Sequence, residues 1–377
     1  MANDKIIIKD PLYKQILFDS KYKKILDSRE FQRLRHIKQT SFSDYVYPSA
    51  NHTRFSHCLG VYHLMNKVLN NGLMKINDKE KENLILAGLM HDIGHGPFSH
   101  IWEMVFPHFN HEAATQEILK SMKLNEVAKI LDKQSKYSQL ISSTIDMDKL
   151  DYMARDSYFA GVSYGVSEVD FIIQHMYVKD NKLMIKPSAL SSVEDMITQR
   201  VNLFKTVYFH KIAIEYDFIL EKIFRRVEYL LKEKIEIQVN RHIKAFFEKK
   251  NNLNDLMALN DIVVLAQIQA WHDECKDIIL KDLCDMFLYR KKMRIVKLSH
   301  KSVNISKIKK QMKEKKYDLN YYFGEISLPI QIIQTPIYVE FKTKVKKLED
   351  ASELIKFYKK QNWKVEYVIF PRDIKEY

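Results

Sequence analysis

Glycine and proline are scarce in this 377-residue chain, with eight of each, and that scarcity excludes architectures built from many tight turns. Long helices are the economical alternative. Cysteine is scarcer still: Cys58, Cys275 and Cys284 are odd in number, widely spread and form no CxxC pair. Neither a disulfide framework nor a thiolate zinc site fits them, and a reducing compartment does. No run of residues reaches membrane-spanning length, and Ile6-Ile7-Ile8 between Lys5 and Lys9 is too short for a secretory core. The expectation is a soluble, cytoplasmic protein with no membrane partner. Internal repeats and Gly/Ser-rich linkers are also missing.

What is present is a 46% hydrophobic composition, enough for a sizeable core, and a formal charge of +13. Its field attracts polyanions, and nucleic acid, nucleotides or simply an AT-rich, lysine-heavy coding bias would each account for it; charge alone does not choose among these. Val61, Leu64, Met65, Val68 and Leu69 have the spacing of a helix with one buried stripe, ended by Gly72. Glu80 to Asp92 is apolar almost without interruption, which predicts a helix buried on most sides and stopped by Gly94, Gly96 and Pro97. Asp180-Asn181 is the turn of one hairpin, between Met176–Val178 and Leu183–Ile185. A long helical stretch is predicted from about Val193 to Glu233. Past residue 285 the composition turns basic, from Arg290 to Lys316, and strand-like runs follow at Ile330–Phe341 and Val365–Phe370 around a helical segment near Ala351–Lys360. The chain therefore reads as a helical domain over 1–285 and a small, basic α+β module over 286–377.

The chemistry is concentrated in His91-Asp92-Ile93-Gly94-His95-Gly96-Pro97-Phe98-Ser99-His100. A His-Asp pair at the end of a buried helix places a carboxylate where desolvation is costly, and a bound cation removes that cost. Imidazole and carboxylate together suit Mn, Fe, Zn or Mg, and such a site with open positions can activate water. The dipeptide alone fits a hydrogen-bonded helix end better than a metal site. A third candidate ligand, His57, opens the preceding amphipathic helix. Farther on, Asp148, Lys149, Tyr152 and Asp156 fall within about 100° of arc on one helix face.

Four blocks, FQRLRHIKQ at Phe31 to Gln39, HTRFSHCLGV at His52 to Val61, HDIGHGPFSH at His91 to His100 and DMDKLDYMARD at Asp146 to Asp156, carry a resemblance, completed by Arg200 and by VYFHK at Val207 to Lys211. The sequence resembles the HD-domain superfamily and, within it, the deoxynucleoside triphosphate triphosphohydrolases of the sterile-alpha-motif and HD-domain type. It lacks the sterile-alpha-motif domain, as compact microbial members do. The resemblance implies a helical HD core and one divalent metal held by His57, His91, Asp92 and Asp148 at the α-phosphate of a dNTP. It makes His95, His100 and His111 catalytic residues around the phosphates, with His100 protonating the 5′-oxygen as water attacks the α-phosphorus. Arg54, Lys149 and Arg200 neutralise the triphosphate, with Lys211 nearby. Tyr152 and Asp156 read the sugar, Tyr208 excludes a 2′-hydroxyl, and Gln39 and His210 match further pocket positions. The resemblance also implies an activating nucleotide near Asp10, Asp27, Gln32, Arg33 and Arg35, and a homo-oligomer, dimer or tetramer.

Two other readings use the same residues. An HD metal set serves equally for a nucleoside monophosphate, a cyclic nucleotide or a nucleic-acid end, although these need fewer cations than Arg54, Lys149, Arg200 and Lys211 supply. The Arg290–Lys316 run suits phosphate contacts, but aromatic residues for base stacking appear only at Tyr317, Tyr321 and Tyr322.

Overall fold

The computed structural model describes residues 4–165, 168–298, 303–361 and 363–375. The fold is mainly α with small sheets at its edges. An N-terminal hairpin, β1 (Lys5–Asp10) and β2 (Lys14–Asp19), pairs in antiparallel register with Ile8 opposite Ile16. Sequence reasoning treated its apolar run only as too short for a leader and missed the alternation that buries Ile16 and Phe18.

The helical core follows. Helix α1 (Arg54–Leu69) buries Val61, Leu64, Met65 and Val68 as its spacing predicts, and Gly72 turns the chain beyond it at φ 77°. Helix α2 (Asp78–Met90) starts at Asn77, whose side chain accepts from the Glu80 amide, and ends at His91. A tight turn leads to α3 (His100–Val105) and α4 (His111–Ser121). Helix α5 (Met147–Ala160) is capped by Asp146 and closed by Gly161 in the left-handed region. Helices α1 and α5 cross closely at Gly60, where a β-carbon would overlap the Asp151 carboxylate.

The turn after α2 is packed tightly as well. A methyl at Gly94 would overlap the His111 carbonyl and the Thr115 amide, both fixed in α4. Gly94→Ala is therefore expected to push α4 away from the turn, with a loss of about 2–3 kcal/mol of stability, as overpacking typically costs. A urea titration checks it, and an unchanged midpoint would show that α4 can give way.

The predicted hairpin forms as β3 (Met176–Lys179) and β4 (Lys182–Ile185), with Asp180 and Asn181 at positive φ. The expected Val193–Glu233 helix is two helices, α6 (Leu190–Leu203) and α7 (Lys211–Lys232). A π-turn at Phe204–Tyr208 and a break at Phe209 separate them, aiming Tyr208 inward. Helices α8 (Asp261–Glu274) and α9 (Ile278–Leu288) complete the core.

Strand pairing crosses from the basic C-terminal segment into the core. In that segment β5 (Arg294–Lys297) and β6 (Gly324–Pro329) flank β9 (Lys364–Phe370). Strand β7 (Tyr338–Glu340), however, pairs in parallel with β4, and β8 (Val345–Lys347) extends the same sheet. The predicted Ile330–Phe341 strand shrinks to β7, because the chain before it is anchored elsewhere. The Thr335 amide donates to Thr144 Oγ1 at 2.9 Å, and that hydroxyl donates to the Thr335 carbonyl at 2.7 Å. Among the described residues of the basic run, Lys309 pairs with Glu325 and Lys315 with Asp373; residues 299–302 lie outside the description. No helix among the described residues is long and apolar enough to cross a membrane.

Candidate active site

His57 on α1, His91 and Asp92 at the end of α2, and Asp148 on α5 converge on one point. His57 Nε2 lies 3.2 Å from His91 Nε2 and 3.1 Å from Asp148 Oδ1. Asp92 Oδ1 is 3.3 Å from His91 Nε2, and its Oδ2 is 3.7 Å from His57 Nε2. The other ring nitrogens are already committed. His57 Nδ1 donates to Asp151 Oδ2 at 2.8 Å and His91 Nδ1 to the Gly88 carbonyl at 2.9 Å. Such bonds fix the tautomer that leaves Nε2 with its lone pair free. Two lone pairs and two carboxylates aimed at one spot repel each other unless a cation lies between them. Burial lowers the proton affinity of His57, yet Asp148 facing Nε2 and Asp151 bonded to Nδ1 carry it up to about 10, so without a metal the same carboxylates draw a proton onto Nε2. The donor set suits a divalent metal, and His57, His91 and Asp148 offer ligand atoms within 4.8 Å of one another.

Asp92 and Asp148 line a cavity of about 460 Å³, within the ~300–1,000 Å³ typical of small-molecule sites. Arg54 enters it from the start of α1, paired with Asp92 through Nη1 and donating from Nε to Ser99 Oγ at 2.8 Å. Burial raises the Asp92 carboxyl, but the Arg54 guanidinium holds it well below the usual carboxylate range. Lys149 donates to Asp146 Oδ2 at 2.9 Å; burial pulls it down, while Asp146 and Asp148 carry it up to about 12. Arg200 on α6 donates to the Ile332 carbonyl at 2.9 Å. The cavity is thus lined by three buried cations.

Three further histidines line the cavity. His95 and His111 stack with ring centroids 4.0 Å apart, and His100 stands edge-on to both. Burial, with the Arg54 charge, pushes His95 well below the ordinary imidazole range. Glu103, which sequence reasoning missed, accepts from His111 Nδ1 at 3.0 Å and faces His100 Nδ1 at 3.3 Å. It sits three residues after His100 on α3, a spacing that was there to be read.

Tyr152 also lines the cavity, beside Tyr208. Tyr208 donates to Asp156 Oδ2 at 2.7 Å, and His52, given no role from sequence, holds Asp156 Oδ1 at 2.7 Å. Gln39 also lines the cavity, its Oε1 buried and without a partner among the described residues. The same holds for Thr40 Oγ1, His95 Nδ1, Arg200 Nε and Asp217 Oδ1. Buried polar atoms are nearly always paired in folded proteins, so five unpaired ones around one cavity mark a place where a ligand supplies the partners.

Some expected residues lie elsewhere. His210 caps α7, its Nδ1 accepting from the Ile212 amide at 3.2 Å, and Lys211 lines a separate surface groove with Glu215 and Met293. The reason is helical phase: Ala213 and Asp217, four residues apart, are the α7 residues facing the cavity, and Lys211 is about 200° away from Ala213. Among the effector candidates, Asp10 and Arg33 are used up inside the fold. Asp10 accepts from the Leu12 and Tyr13 amides and from Arg155. Arg33 donates to the Leu259, Ile93 and His95 carbonyls. Asp27 and Arg35 are exposed, and Gln32 donates to the Leu26 carbonyl.

The HD-domain family model matches residues 54–156, the span that contains all four converging residues. A Bacillus subtilis protein, YwfO, is 36% identical over 314 residues, covering 78% of this chain and 72% of its own. The chain belongs to the HD-domain superfamily. A phosphohydrolase of Bacteroides thetaiotaomicron, 27% identical, superposes on this HD-domain chain with a TM-score of 0.89 over 98% of its length and all of the other. The human deoxynucleoside triphosphate triphosphohydrolase SAMHD1 is 26% identical over 278 residues, 59% of this chain and 44% of that one. The HD-domain chain is accordingly a phosphohydrolase of the metal-binding HD type, similar to the dNTP triphosphohydrolases.

Proposed function

We propose that this HD-domain protein hydrolyses dNTPs to a deoxynucleoside and inorganic triphosphate. One observation carries the reading: the cavity lined by Asp92 and Asp148 of the converging set is lined as well by the cations Arg54, Lys149 and Arg200 and by the aromatic residues Tyr152, Phe204, Tyr208 and Phe209. Three buried cations match a triphosphate, whose charge is the main demand on a phosphoryl-transfer site. An aromatic wall with a nearby Asp156–Tyr208 pair matches a sugar and base.

His57, His91, Asp92 and Asp148 would hold one divalent ion, Mn, Fe, Mg or Zn, which when bound supplies Lewis-acid polarisation of a phosphoryl oxygen and a lowered pKa for water. Arg54, Lys149 and Arg200 hold the phosphates in place. His100 stands at the cavity mouth with Nδ1 toward Glu103, leaving Nε2 to deliver a proton to the departing 5′-oxygen. His95 and His111 line the phosphate path. Tyr208, fixed through its hydroxyl by Asp156, fills the space a 2′-hydroxyl would need.

The test is product analysis after incubation with Mn or Mg and each dNTP, singly and in pairs. Deoxynucleoside and triphosphate are the expected products, and activity confined to mixtures would reveal an activating nucleotide. Cleavage of a monophosphate or a nucleic-acid end, with no dNTP turned over in any mixture, would overturn the reading.

A further inference from the structure

The cavity has a polar group that neither the metal nor the phosphates account for. Asp217, on α7, lines the cavity with Phe42, Ile101, Phe209 and Ala213, away from the Arg54, Lys149 and Arg200 cations. Its Oδ1 is buried with no hydrogen-bond partner among the described residues. No cation faces it, and burial alone pushes its carboxyl up to about 8. A lone carboxyl among apolar walls costs stability rather than adding it, so its place at a cavity wall calls for a partner brought from outside. Other unpaired atoms of the cavity point the same way: Gln39 Oε1 is an acceptor and Thr40 Oγ1 can accept.

We infer that Asp217 is a specificity-determining residue that accepts an exocyclic amino N–H of the nucleobase. This rests on the dNTP reading of the same cavity. The donors of a dNTP are the sugar 3′-hydroxyl and the N–H groups of its base; the Asp156–Tyr208 pair is the partner of the sugar in this reading, which leaves the base N–H groups for Asp217. Adenine, cytosine and guanine each bear an amino group, whereas thymine carries carbonyl oxygens and a methyl there. A site built to bond a substrate N–H rejects an analogue lacking it far more strongly than an apolar pocket rejects a changed shape. The bases with amino groups are therefore the favoured substrates and thymine the disfavoured one.

The experiment compares kcat/KM for three substrate pairs that differ in the amino N–H: dGTP and dITP, dATP and its N6,N6-dimethyl analogue, dCTP and its N4,N4-dimethyl analogue. These are measured in the wild type, Asp217→Ala and Asp217→Asn. In at least one pair the wild type is expected to lose about tenfold or more with the N–H, and Asp217→Ala to treat both members alike within about twofold. Asn, which retains a carbonyl acceptor, is expected to restore part of the ratio. Both variants should melt no lower than the wild type, since an unpaired buried carboxyl is being removed or neutralised. The inference is overturned if every pair keeps the same ratio in Asp217→Ala as in the wild type, or if the wild type discriminates in none. A wild type that turns over no dNTP overturns the underlying reading as well, which separates the two failures.

Discussion

Asp148→Ala is expected to cut phosphohydrolase turnover by about a thousandfold, on the order of 4 kcal/mol of barrier, and to release the metal while leaving the fold standing. Asp148 contributes the α5 carboxylate to a cluster in which His57 and His91 already point their free nitrogens at each other. Removing it deletes one ligand and one negative charge from the three-donor group. Two imidazoles and Asp92, which is already paired to Arg54, hold a divalent ion far less tightly. The fold should survive, because Asp148 is about one-quarter exposed and His57 keeps its bond to Asp151. Metal analysis beside a rate measurement decides it: a variant that retains both metal and turnover would move the metal site elsewhere. Chelation of the wild type followed by re-addition of Mn or Mg should reproduce the loss and its recovery.

The largest stability effect belongs to Arg155. Its guanidinium is fully buried and bridges Asp151 and Asp10, with Nε 2.9 Å from Asp151 Oδ2, Nη2 3.0 Å from Asp151 Oδ1 and Nη1 2.8 Å from Asp10 Oδ2. Tyr13 donates to Asp151 as well, at 2.7 Å, and Asp151 holds His57. The network ties the N-terminal hairpin to the metal side of the site. Arg155→Met keeps the length of the chain but leaves two buried carboxylates without their cation, an expected loss of about 3–5 kcal/mol.

The pH dependence of that loss has a definite sign. Burial raises the Asp151 carboxyl, but Arg155 and His57 hold it below the usual carboxylate range. Its stabilising contribution is therefore present above the unfolded value of about 4 and lost as pH falls through the depressed folded value. In Arg155→Met the buried carboxylates instead gain by protonation. The gap between wild type and variant should be widest near neutral pH and narrow below about pH 4. Urea midpoints at pH 7 and pH 4 measure it, and a gap that stays constant would mean that packing, not charge, gives Arg155 its worth.

The sequence alone picked out the residues that converge in the fold. His57, His91, Asp92 and Asp148 were legible because each stands at a fixed point of a helix whose apolar spacing is itself legible, and because Lys149, Tyr152 and Asp156 recur at helical intervals on one face. Periodicity is local, and a helix fixes the relative direction of side chains a few residues apart. The same local reasoning placed the Met176–Ile185 hairpin and the helix ending at His91.

Tertiary structure decided what depends on segments far apart in sequence. His210 and Lys211 looked like site residues until the phase of α7 turned Ala213 and Asp217 inward instead. Asp10 and Arg33 looked free to meet a nucleotide until Arg155 and three backbone carbonyls claimed them. The stretch before Tyr338 looked like a continuous strand, yet it reaches back to Thr144 and Arg200 and brings Gln334 to the cavity wall. Whether a buried polar atom is satisfied depends on which distant groups arrive beside it. That long-range packing leaves no periodic trace in the chain, so only the folded structure distinguishes a residue held by the protein from one left for a ligand.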